Sequence, residues 1–115
     1  MDVLKIVLLF MTIVWFIFSF VFADGNSEKG KAFFNDPLFA GARAGKSCSS
    51  CHPEGKGLDK PGSKKEFSIM GERQSGIDKS VNFCIVHALK GSALNPQSED
   101  MVNIISYIRS LRDGK

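Results

Sequence analysis

Residues 48–52 read Cys48-Ser49-Ser50-Cys51-His52, and the rest of the chain has to be built around them. The form is C-x-x-C-H, the spacing at which two thiols add to the two vinyl groups of a c-type haem. Two intervening residues keep both sulfurs on one edge of the porphyrin. The adjoining His52 can then turn its imidazole beneath the iron as the proximal ligand. The motif predicts one haem c per chain, held covalently by Cys48 and Cys51.

Upstream, Ile6 to Ala23 is apolar except for Thr12 and Ser19. Val21-Phe22-Ala23 suits a signal-peptidase site, which predicts cleavage before Asp24. The run is long for a signal peptide and close to the minimum for a bilayer span. Residues 1–23 are therefore expected to be a signal peptide, or an N-terminal membrane anchor if they stay uncleaved. Either places residues 24–115 in the periplasm or another exported space. Haem attachment to C-x-x-C-H takes place outside the cytoplasmic membrane, so leader and motif support each other.

Residues 24–115 make one small domain, and a domain of that size buries a modest core. Such domains usually need a disulfide, a metal or a cofactor to hold them. Three cysteines allow one disulfide at most, whereas a covalent haem supplies a large apolar centre that tolerates 11 Gly in the chain. The net charge is +3, and Lys46, Lys56, Lys60, Lys64 and Lys65 flank the motif. Export and the lack of a recognition motif argue against nucleic acid. The lysines predict a basic collar that steers acidic redox proteins, with electron transfer that weakens as salt rises.

Three helices are expected in the domain, giving an all-α fold. The first spans about Ser27 to Asn35, with Ser27 as N-cap and Asn35-Asp36-Pro37 as its stop. Gly41 to Gly45 reads as a flexible lead into the motif. Residues 53 to 76 are broken by glycine and proline and read as irregular. Their one apolar cluster, Phe67, Ile69 and Met70, is expected to fold over a hydrophobic surface. The second helix runs from about Ile77 to Lys90 with Gly91 as its stop. Ile77, Val81, Cys84, Ile85, Ala88 and Leu89 follow helical spacing, with Cys84 near the middle of the face and His87 on its flank. The third spans about Ser98 to Arg112, capped by Ser98, with Met101, Ile104, Ile105, Ile108 and Leu111 as its stripe.

In this order the elements resemble a class I type cytochrome c across residues 27–112. The resemblance implies a cytochrome c-like fold around one haem. It also implies that the first and last helices cross, with Gly30 letting Tyr107 pack closely. One departure stands out. Where the family usually offers a distal methionine before the last helix, this chain reads Ser92-Ala93-Leu94-Asn95-Pro96. Asn82-x-Cys84, Leu89-x-Gly91-x-x-Leu94, Ser98-Glu99-x-Met101 and Tyr107-Ile108 are similar to the haem domains of thiosulfate dehydrogenases and of sulfur-oxidation cytochrome subunits. That similarity implies Cys84 as distal iron ligand. It also departs, since a position often arginine there is His87 here.

Other occupants of the sixth position stay open: Met70, Met101, His87, or none. Cys84 as a small buried hydrophobe is the bland alternative. A different class of protein is also compatible with the spacing. Cys48-x-x-Cys51 with Cys84-x-x-His87 is formally a tetrahedral zinc set. The expectation is a single-electron carrier and not an enzyme, with a haem subunit acting on sulfur compounds such as thiosulfate as its alternative.

Overall fold

A computed structural model describes residues 2–18, 25–58 and 65–111. The described chain is mostly helical: α1 (Val3–Phe18), α2 (Ser27–Asn35), α3 (Cys48–Cys51), α4 (Ile77–His87) and α5 (Glu99–Ser110), with a hairpin of β1 (Glu66–Ile69) and β2 (Glu72–Ser75). The expected cleavage point before Asp24 lies outside the described residues, as do Lys60, Lys64 and Arg112. Among the described residues no helix is long and apolar enough to cross a membrane.

Phe34, Phe39, Ala42, Val81, Ile85, Leu89, Met101, Ile104 and Ile108 form one buried cluster. The principal packing is α2 against α5. Gly30 makes it possible: a Cβ there would stand 2.7 Å from Tyr107 Cβ and would collide with the Asn103 carbonyl oxygen. The missing side chain lets the two backbones touch, as the resemblance implied. Beside this crossing Phe34 meets Tyr107 edge to face, ring centroids 5.1 Å apart.

Helix ends differ from expectation in instructive ways. The N-cap of α2 is Asn26 and not Ser27. Its carboxamide accepts from Lys29 N at 3.1 Å, while its own N–H donates to Asn103 Oδ1 at 2.7 Å. A bond to α5, invisible in the local sequence, fixes which residue caps. Helix α4 stops at His87, three residues short of Lys90. Lys90 takes the left-handed conformation (φ 58°), and Gly91 N–H returns to Ile85 O at 2.8 Å. Gly91 is needed for proximity instead, because a Cβ there would lie 2.7 Å from Ala40 O.

Two further expectations are corrected. The segment leading to the motif is tied down: Arg43 and Ala44 N–H both donate to Leu89 O at 3.0 and 3.1 Å, and Ser92 N–H donates to Ala40 O at 2.8 Å. Within the stretch read as irregular, residues 66–75 form an antiparallel hairpin with Ile69 opposite Glu72. Met70 and Gly71, both at positive φ (52° and 83°), make its two-residue turn. Such turns favour Asn-Gly or Asp-Gly, so Met-Gly gives only half the signal. Phe67 and Ile69 are half-buried, but Met70 stands at the tip, 64% exposed, and does not join them.

Candidate haem-attachment site

The motif occupies one helical turn and its exit. Ser47 N–H donates to Ser50 Oγ at 3.0 Å in a reciprocal capping box, so two serines stabilise a helix only four residues long. The turn divides its cysteines. Cys48 is half-buried against the main cluster, and Cys51 is exposed. His52 N–H donates to Cys48 O at 2.9 Å, which ends the turn and leaves the imidazole beside both thiols in sequence.

The ring of His52 is oriented by the turn that follows. Nδ1 lies 2.9 Å from Lys56 O. A carbonyl oxygen only accepts, so Nδ1 carries the proton and the Nε2 lone pair is left available to a metal. Fixing the tautomer through the second nitrogen is the usual support for a ligating histidine. The Pro53–Gly55 turn brings Lys56 O into place, with Glu54 and Gly55 both at positive φ.

Cys84 is half-buried on α4. Around the helix it falls between buried Ser80 and buried Val81, within the buried face. Burial pushes the Cys48 thiol up to about 11, and the neighbouring Cys84 adds to the rise. Burial likewise raises Cys84, with Cys51 adding. Both thiols are therefore neutral at pH 7. A cation bound beside them would reverse this, because a coordinating thiol loses its proton.

The other candidates are placed as follows. Met101 is fully buried in the core. Met70 is at the hairpin tip. His87 is exposed, its ring centroid 4.3 Å from that of Phe83. Among the described residues no three His, Cys, Asp or Glu side chains come together closely enough to hold a metal ion, so Cys48, Cys51, Cys84 and His87 are not gathered into a tetrahedral set.

The role of Asn82, a residue quoted above for the resemblance, was not read from the sequence. Asn82 donates from Nδ2 to Leu94 O and accepts at Oδ1 from Leu94 N, each at 2.8 Å. Its carboxamide acts as a short β-ladder, clasping residues 91–95 to α4. A half-buried asparagine in a helix was the available signal, but its partner is backbone and carries no sequence mark.

No family model matches the chain, and neither the curated proteins nor the solved structures hold a match.

Proposed function

We propose that the chain is an exported c-type cytochrome that passes single electrons through one covalently attached haem. The observation that carries this reading is His52. It follows Cys51 directly, and its Nδ1–H is held by Lys56 O so that Nε2 is left as the donor. A ligating histidine almost always has its second ring nitrogen held in this way. The crossing of α2 and α5 at Gly30 supports a cytochrome c-like fold around it.

Cys48 and Cys51 would form thioethers to the porphyrin, and His52 and Cys84 would be its proximal and distal ligands. When bound, the haem supplies a one-electron iron couple. The protein's own part is to hold that couple in a low-dielectric setting. Cys48 packs against the buried apolar cluster, which keeps water from that side. The capping box and the Lys56 carbonyl keep the ligating ring from turning. Cys84 would set the potential through the charge of its sulfur.

Covalent attachment is tested directly. Haem in the exported protein is expected to stay with the polypeptide through acid–acetone extraction, and to be released from a chain carrying Cys48→Ser and Cys51→Ser. Haem extracted from the unaltered chain would refute attachment. The collar of Lys46, Lys56 and Lys65, all exposed, predicts a kinetic signature. The rate of electron exchange with an acidic redox protein should fall several-fold between roughly 0.01 and 0.15 M salt, as the screening length shrinks from about 30 to 8 Å. A rate independent of salt would remove the collar from the account.

A further inference from the structure

Residues 24–115 contain two methionines, Met70 and Met101, and the fold treats their sulfurs oppositely. Met101 is fully buried on α5 and belongs to the main apolar cluster. Met70 stands at the hairpin tip, 64% exposed, outside that cluster. The tip is open, since a Cβ on the adjoining Gly71 would meet nothing within 4 Å. Ile69 pairs with Glu72 just below it, so backbone pairing holds the turn and asks nothing of the Met70 side chain. That side chain is even carried at a cost. Met70 has φ 52°, a left-handed conformation that glycine or asparagine adopts more easily. Strain kept at an exposed position points to a role for the side chain itself.

We infer that Met70 is a reversible oxidation site for hydroperoxides, forming methionine sulfoxide without disturbing the fold. A lone pair of the Met70 sulfur attacks one oxygen of hydrogen peroxide. The S–O bond forms as the O–O bond breaks, and the departing hydroxide takes the proton of the transferred oxygen and leaves as water. Sulfur loses two electrons and the peroxide gains them. Sulfoxide formation makes an apolar side chain polar, which disrupts a packed core. At Met101 the new oxygen would be buried without water. At Met70 it faces solvent, and the strand pairing beneath it is unchanged. Reduction by a methionine sulfoxide reductase reverses the step. Two thiols of that enzyme supply two electrons and two protons, a disulfide forms, and the oxygen leaves as water. A hairpin tip can enter such an enzyme, whereas a core methionine cannot. None of this requires the electron-carrier reading.

The experiment treats the purified exported protein with dilute hydrogen peroxide, quenches with free methionine, and follows each methionine peptide by mass spectrometry. The Met70 peptide is expected to gain one oxygen more than an order of magnitude faster than the Met101 peptide. In urea the two rates should converge. The oxidised protein should keep its helical circular dichroism and its urea midpoint, and a methionine sulfoxide reductase with dithiothreitol should restore the original mass. A Met70→Leu chain should keep the same circular dichroism and lose the fast oxygen uptake. Equal rates in the folded protein overturn the inference, and so does a rate ratio that persists in urea. A lowered midpoint after oxidation at Met70 overturns it too, by showing that the side chain was packed. If Met70 resists peroxide in a folded chain, its sulfur is covered by a ligand or a partner, and the inference fails.

Discussion

A Gly30→Val chain will be destabilised by about 3 kcal/mol or more, and the loss will come from the α2–α5 crossing. The first added atom would stand 2.7 Å from Tyr107 Cβ and would overlap the Asn103 carbonyl oxygen. That oxygen belongs to helix backbone, so no rotamer change relieves the overlap. Overpacking of this kind costs roughly 1–3 kcal/mol, and more where backbone must move. Separating the helices also opens the Phe34–Tyr107 contact, worth about 1 kcal/mol beyond its buried area. A small domain has little to lose, since native stability is about 5–15 kcal/mol. Urea midpoints for Gly30→Val and for Lys31→Val, an exposed neighbour on the same helix, check the claim. The second change should cost about 0.5 kcal/mol. Equal midpoints would show that Gly30 is not at a close crossing.

Replacing Cys84 by alanine will change the absorption spectrum of the oxidised protein and raise its reduction potential. A thiolate donates negative charge to the metal and favours the ferric state, and axial ligands command a span of about 0.8 V. The same change should leave the covalent link intact, because Cys48, Cys51 and His52 lie on other elements. Spectra and a potentiometric titration of the two proteins decide the matter. If neither moves, Cys84 is only a half-buried hydrophobe. Met70 is then the next residue to test, although it would have to leave the exposed hairpin tip.

How much of this was legible in the sequence depended on where each signal resides. C-x-x-C-H marked residues 48–52 as the candidate site, but that Cys48–Cys51 close a helical turn was not among the expected helices, because the Ser47–Ser50 capping box that holds it spans only four residues. Gly30 and Tyr107 were readable through resemblance, and the crossing bears them out. The helices α2, α4 and α5 were readable from apolar periodicity, since each buries one face on a shared core. The hairpin was not, because its strands are four residues long and its turn uses Met70 where Asn or Asp would announce it. Nor were the Asn82–Leu94 clasp and the Lys56 carbonyl behind His52. In both, a side chain is paired with backbone, and every residue type offers the same backbone. The fixing of Gly41–Gly45 to Leu89 was hidden for that reason too.

The most direct test is the optical spectrum of the purified exported chain, recorded oxidised and then reduced with dithionite. The account predicts a Soret band in both states and sharp α and β bands on reduction, retained after denaturing extraction. A protein with no absorption beyond that of its aromatic residues, isolated from cells that attach haem to other proteins, would contradict it.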